Sequence, residues 1–234
     1  MLSFGNTILT TGSGAWLEPP NPNTLNLPPF TIRVQYAPGK TPVNPPNHGA
    51  TVTQVSVDPN IWDVTRALDE YGLPYWDWLL GEELDLVAVL GANSSGITSM
   101  HALFQNCKNL QSVEFFDTSL CTDMSNMFST CSSLEHAPLY STASCLNMHG
   151  MFQGCASLKN VPLYSTASCT DMSHMFAYCG NVEGGALALY TQAASQAVPP
   201  IYHGAAFFQC GEDTVSGRQE LEQIPYDWRN WVEP

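Results

Sequence analysis

Eight cysteines are the residues whose type and spacing first suggest chemistry, since thiols bind metals and form disulfides. Their intervals alternate between 14 and 10 residues before a final interval of 31, and no Cys-x-x-Cys pair occurs. Structural zinc sites usually contain such close pairs. Equivalent residues of stacked strands lie near enough for a disulfide, but their side chains point the same way, so a bridge would distort the backbone. We therefore predict free, buried thiols that act as small apolar groups.

Carboxylates near residue 80 are a second group of candidate residues. Glu82 and Glu83 stand close to Trp76 and Trp78, and carboxylates beside aromatic rings suggest glycoside hydrolysis. A solvated acidic loop is the interpretation that we favour. The six histidines are scattered, and the sequence contains no glycine-rich phosphate loop, no Gly-x-Ser-x-Gly and no His-Glu-x-x-His. We therefore predict no catalytic residues, no metal ligands and no cofactor.

A repeat of 24 residues must position these side chains. The phenylalanines that mark it are Phe104, Phe128, Phe152 and Phe176. A fixed period in this range is typical of stacked structural units that share one continuous core. Equivalent side chains are therefore expected to form rows along the stack.

Each repeat contains a pattern typical of a short helix. Met124, Met127, Phe128 and Cys131 stand at positions i, i+3, i+4 and i+7, which form one face of a helix. Asp123 precedes them and can accept a hydrogen bond from the first turn. We therefore predict a helix of about two turns in each repeat.

A short strand is predicted after each helix. Ala137 and Leu139 alternate with Pro138 and Tyr140, which predicts an inner and an outer face. The polar run at residues 141–144 is a turn back to the next helix. The predicted fold class is therefore α/β, a solenoid of parallel strands and short helices.

The repeated sequence, read as Asp-Met-Ser-Asn-Met-Phe followed by Cys and Leu, resembles the BspA-like leucine-rich repeat family. The resemblance covers Leu86 to about Leu189. It implies a leucine-rich-repeat solenoid, and family members are mostly binding or adhesion modules. The family usually has Val where Cys121, Cys145 and Cys169 stand, which implies a small apolar core position for these thiols.

Four segments are predicted along the chain. Residues 1–28 form an extended N-terminal arm, residues 29–83 a β-rich cap, residues 84–182 the solenoid, and residues 183–234 a helical C-terminal cap. Trp16, Leu17 and Leu25 are the apolar anchors of the arm, which is either a mobile tail or a segment that orders on another subunit. Phe207 and Cys210 keep the Phe-to-Cys spacing of the repeats and mark a degenerate copy in the C-terminal cap.

Alternating residues in the N-terminal cap predict strands at 30–36 and 51–57, which we expect to form an antiparallel pair. Bulky apolar residues at 61–64 and 75–80 are expected to cover the first repeat. A longer alanine-rich helix is predicted at 185–196. Ile224, Trp228 and Trp231 are the predicted C-terminal lid.

The predicted outer face of the strands is the candidate ligand-binding surface. Phe116, Tyr140 and Tyr164 would form an aromatic column there, with Glu114 and His136 beside it. Aromatic and acidic groups on a rigid face suit recognition of a glycan or a protein. The alternative is that these rings only pack on one another.

Charge and hydropathy limit the possible partners. Seven basic against 21 acidic residues give a net charge of −14, which argues against nucleic acid and anionic membranes. No apolar run approaches the length of a membrane span. Residues 1–15 lack the basic start and apolar stretch of a secretory signal.

These observations predict a non-enzymatic leucine-rich-repeat protein with a binding or structural role. We expect it on a virion, as a head or tail appendage of a bacterial virus that is docked by its N-terminal arm. Its partners would be other virion proteins, and a host glycan or protein, within a homo-oligomer or larger assembly. The alternatives are a bacterial cell-surface adhesin and, less favoured, a carbohydrate-cleaving enzyme.

Overall fold

The computed structural model describes residues 26–43, 50–66 and 76–230. The strands are β1 (Thr31–Tyr36), β2 (Thr51–Ser56), β3 (Ile61–Thr65), β4 (Leu86–Asn93) and β5 (Ser112–Val113). The helices within this part of the chain are α1 (Ala186–Ala194), α2 (Val215–Leu221) and α3 (Tyr226–Arg229).

One mixed sheet in the order β2-β3-β1-β4-β5 forms the N-terminal end. The first four strands are antiparallel to their neighbours, and β4 pairs with β5 in parallel. The expected pairing of β1 with β2 is wrong, because β3 lies between them. A turn of four residues joins β2 to β3, and such a short connection favours pairing of these two strands. Arg33 on β1 binds Asp63 on β3 across the sheet, with 2.7 Å between Nε and Oδ1.

From residue 76 onward the chain forms six similar turn layers. They comprise residues 76–83, 100–107, 124–131, 148–155, 172–179 and 203–210. Alternate amides of each layer donate to carbonyls of the next, as the N–H of Met124 does to Asn147 (2.9 Å) and that of Phe128 does to Met151 (2.8 Å). Single parallel bridges between successive layers, such as the one that pairs Asp123 with Asn147, continue the stack. Equivalent residues therefore lie directly above one another.

The predicted fold class, a leucine-rich-repeat solenoid with a helical cap, is wrong. The described residues contain one five-stranded mixed sheet and few short helices. Where helices were predicted, the chain makes consecutive turns, with N–H donors bonded three residues back, as Met127 is to Met124. Positive φ values recur four residues apart in every layer, at Asn126 (55°) and Thr130 (64°) for example. A turn that repeats every four residues buries nearly the same positions as a helix, so the spacing of apolar residues did not distinguish them.

Rows of equivalent side chains fill the core, as the 24-residue period predicts. The ring centroids of Phe104 and Phe128 are 5.2 Å apart, those of Phe128 and Phe152 5.2 Å, and those of Phe152 and Phe176 5.3 Å. All four side chains are fully buried. Stacked aromatic pairs contribute about 0.5–1.5 kcal/mol beyond the area that they bury.

Two degenerate layers extend the stack beyond the four clear copies. The layer at 76–83 covers the next layer, as expected for a cap. It is itself a further repeat, because the backbone N–H of Trp76 donates to the carbonyl of Ser99 (3.0 Å), as equivalent residues do in the other layers. At the other end Phe207 stacks on Phe176 with a centroid distance of 6.2 Å, which confirms the predicted copy. The N–H of Phe207 then donates to Trp228 (3.0 Å), so the C-terminal segment closes the stack. Trp231 lies outside the described residues.

A column of buried hydroxyl groups links the layers on the side of the strands. Its members are Ser94, Thr118, Thr142 and Thr166. The Oγ1 of Thr118 donates to the carbonyl of Ser141, and that of Thr142 donates to Ser165, both at 2.9 Å. Ser94 makes the equivalent bond to the carbonyl of Asp117, so each of these three bonds joins two repeats. Thr166 instead accepts a hydrogen bond from the side chain of Gln196, which follows α1.

The C-terminal helices depend on one close backbone contact. Gly185 precedes α1 with φ +96°, and a Cβ atom there would lie 2.2 Å from the carbonyl oxygen of Val161. Glu220 of α2 accepts hydrogen bonds from the N–H groups of Gly185 (3.3 Å) and Leu187 (3.1 Å). The predicted helix at 185–196 is confirmed as the shorter α1.

Candidate functional site

The aromatic column of the predicted binding surface points into the core. Phe116, Tyr140 and Tyr164 are 0%, 6% and 1% exposed. Phe116 and Tyr140 have centroids 4.9 Å apart, and the hydroxyl group of Tyr164 donates to the carbonyl of Pro138 (2.6 Å). The prediction of an exposed aromatic platform is therefore wrong. In extended chain a shift of one residue exchanges the two faces, and the apolar residues at 139 and 140 do not by themselves determine which face is buried.

The neighbouring residues form the exposed face instead. Leu139 is 65% exposed and Leu163 is 43% exposed, and Phe115 at the equivalent position of the previous repeat is half-buried. We call these three residues the apolar row. Glu114 and His136, the other predicted ligand-binding residues, are both exposed. Glu114 directly precedes Phe115, and His136 stands three residues before Leu139. The row therefore presents apolar side chains in register on a closely hydrogen-bonded scaffold.

A repeated polar relay lies on the turn layers. His101 Nδ1 is 2.7 Å from Ser125 Oγ, which donates to Asp123 Oδ1 (2.6 Å). Ser, His and Asp are also the residue types of a catalytic triad. In a triad the serine donates to the histidine, whereas here it donates to the aspartate. The serine proton goes to the carboxylate, so His101 must donate from Nδ1 and cannot act as the base for this serine. The relay orients the imidazole ring and fixes its tautomer.

The same relay occurs two repeats further along the chain. His149 Nδ1 is 2.8 Å from Ser173 Oγ, which donates to Asp171 Oδ1 (2.6 Å). The ring of His174, which occupies the next position after Ser173, lies with its centroid 5.5 Å from that of His149. Burial, and secondarily the charge of His149, lowers the pKa of His174. Counting in steps of 24 residues from His101 and His149 does not reveal this pair, because His174 is displaced by one position.

Two of the candidate residues near residue 80 lie in the interior, whereas Trp78 and Glu82 are exposed. Trp76 is fully buried, and Glu83 is 3% exposed. Glu83 Oε1 accepts a hydrogen bond from the N–H of Val43 (2.7 Å). The expected solvated acidic loop is therefore wrong for Glu83, whose carboxylate binds backbone in the interior.

All eight thiols are free and buried, as predicted. Cys131 Sγ donates to the carbonyl of Phe104, and Cys155 Sγ donates to that of Phe128, both at 3.1 Å. Burial raises the pKa of Cys131 and Cys155 well above that of a free thiol. The cysteines thus fill small core positions and add a weak hydrogen bond between layers.

The candidate docking residues Trp16, Leu17 and Leu25 lie outside the described residues. Within residues 26–43, 50–66 and 76–230, no group of three or more His, Cys, Asp or Glu side chains could hold a metal ion. None of the helices in these ranges is long and apolar enough to cross a membrane.

Comparison with known proteins relates part of the chain to a family. Residues 87–191 match the model of a family described as a Mycoplasma protein of unknown function, DUF285. The curated proteins and the solved structures contain no match. The matched region runs from β4 into α1 and covers less than half of the chain. The central repeats are therefore similar to a family whose description states no function.

Proposed function

We propose that this chain is a non-enzymatic binding protein that presents its apolar row to a protein partner. The carrying observation is the exposure of Leu139 and Leu163 at equivalent positions of successive repeats. Exposed apolar side chains that lie together on a rigid surface are typical of interaction sites. The buried hydroxyl column beside the row holds successive repeats in register, so the row is preorganised for binding.

The chemistry of the row favours a protein over a glycan. Sugar rings commonly stack on exposed aromatic rings, and the aromatic column predicted for that purpose, which includes Tyr140 and Tyr164, is buried. Leucine side chains are suited to apolar side chains of another protein. Glu114 and His136 add polar groups near the row, as at the rim of an interface.

Within this role we place the chain on the particle of a bacterial virus, with residues 1–28 as a docking arm. Stacked repeats support this setting because they present an extended surface for display. The genomic neighbourhood of the gene tests it. Genes for particle proteins on either side would support the proposal, whereas genes for cell-surface export and anchoring would favour a bacterial adhesin.

Photo-cross-linking tests the binding role of the row. A benzophenone side chain replaces Leu139 in the full chain produced in its native source, and the control replaces Leu120, which is 58% exposed and lies outside the row. We expect a discrete protein adduct from position 139 alone, and its loss when Leu163→Lys is added. Equal labelling from both positions would contradict a specific site on the row.

A further inference from the structure

The pair of imidazole rings formed by His149 and His174 is the chemical group that the proposed function leaves unused. The rings belong to successive turn layers, and their planes are inclined at 66° with centroids 5.5 Å apart. Both residues are half-buried, so solvent reaches the pair. Imidazole is the protein ligand that suits zinc, copper and nickel.

The relay behind His149 prepares this ring for metal binding. Because Ser173 gives its proton to Asp171, the Nδ1 of His149 must be the donor toward Ser173, at 2.8 Å. In the neutral ring the lone pair is then on Nε2. Histidines that bind metals usually donate their other N–H to a carboxylate, a carbonyl or water, which fixes the ring and its tautomer.

The separation of the rings fits a shared ion. Zinc binds imidazole nitrogen at about 2.0–2.1 Å in tetrahedral geometry, which places two ligating rings with centroids roughly 5 Å apart. The measured 5.5 Å lies within a few tenths of an ångström of that separation. We propose that His149 and His174 form a two-histidine site for a divalent zinc-like ion.

Solvent or a partner must complete the coordination, because the described residues contain no cluster of three or more ligands. A site with two protein ligands is open, like the incomplete shells of catalytic zinc rather than the closed ones of structural zinc. The inference is independent of the apolar row, whose three residues lie outside the turn layers.

His101 provides a matched control. Its relay through Ser125 and Asp123 has nearly the same distances, 2.7 Å and 2.6 Å. Its ring neighbour is Trp78, with centroids 6.1 Å apart, and indole cannot replace imidazole as a ligand. His101 thus has the same orienting partners as His149 but lacks the second imidazole ring.

Isothermal titration of the full chain with zinc chloride at pH 7.5 tests the site, with magnesium chloride as the control ion. We expect one zinc per chain, a loss of affinity of tenfold or more in His149→Gln and in His174→Gln, and less than threefold in His101→Gln. Circular dichroism spectra that match the wild type would show that each variant is folded. The proposal is overturned if the wild type binds no zinc, or if His101→Gln weakens binding as much as His149→Gln does.

Discussion

The buried hydroxyl column provides a test of what joins one repeat to the next. Thr142 is 1% exposed, and its Oγ1 donates to the carbonyl of Ser165 at 2.9 Å. Thr142→Val keeps the shape and volume of the side chain and removes the donor. The carbonyl of Ser165 then loses this hydrogen bond in a place that water does not easily reach. We expect the free energy of unfolding to fall by about 1–3 kcal/mol, the cost of leaving a buried polar group unsatisfied.

Thr170 is the matched control for this change. Its Oγ1 also donates to a carbonyl of the previous repeat, that of Leu146, at 3.0 Å, but the residue is exposed. Water can replace the lost donor in Thr170→Val, so the change should stay within about 0.5 kcal/mol. The two variants thus differ mainly in burial.

Urea denaturation, followed by circular dichroism and by tryptophan fluorescence, measures both variants. Coincident curves from the two probes establish that unfolding is two-state, which the comparison of free energies requires. A lower midpoint with an unchanged m value for Thr142→Val, and an unchanged midpoint for Thr170→Val, is the expected result. Equal losses in the two variants would refute the assignment of stability to burial of the column.

Three further changes test other parts of the structure. Phe152→Ala opens a cavity between two stacked rings and should lower the free energy of unfolding, measured in urea titrations, by about 3–5 kcal/mol. A loss below about 1 kcal/mol would contradict the stacked core. Gly185→Ala places a Cβ 2.2 Å from a carbonyl oxygen. Gly96→Ala, at a similar φ of +86°, places a Cβ with no atom within 4 Å. We therefore expect a markedly larger fall in melting temperature for Gly185→Ala than for Gly96→Ala. Burial raises the pKa of Cys121 to about 12, so the unfolded chain loses this proton from about pH 8.5 while the folded chain keeps it. Stability in the presence of reductant should therefore be fully present at pH 7.5 and decline between pH 8.5 and 10, and a flat profile in urea titrations would contradict the burial.

The repeat period predicted most of what lies inside the molecule. The phenylalanine row, the buried thiols and the degenerate copy at Phe207 follow from spacing alone, because stacked units must bury equivalent residues together. The layer at 76–83 carries no clear sequence signature, because Trp76 and Glu83 stand 24 residues before Met100 and Cys107 and differ from them in size and charge. A repeat whose side chains change in size and charge keeps its backbone contacts but loses its sequence signature.

Backbone conformation and the choice of face were not predictable in the same way. Met124, Met127 and Phe128 are buried by turns as well as they would be by a helix, and the positive φ at Asn126 leaves no clear signal in one sequence. Leu139 and Tyr140 are adjacent and both apolar, so hydropathy could not decide which one faces solvent. The structure buries Tyr140, whose ring stacks on Phe128 of the phenylalanine row with 6.2 Å between the centroids.

The hydrogen bonds between turn layers all run in one direction, with N–H groups facing the C-terminal end of the stack and carbonyls facing the N-terminal end. The peptide dipoles of the turn layers therefore add along the axis, as they do in a helix. Bonds that join the repeats outside these layers, such as the one from the N–H of Thr122 to Thr98 (2.8 Å), point the opposite way. The positive pole of this field is at the last layer, and the chain after Cys210 has six acidic and two basic residues. At the opposite pole Arg66 donates to the carbonyl of Asp77 (3.2 Å). The acidic excess after Cys210 therefore lies at the positive pole of the turn-layer dipoles.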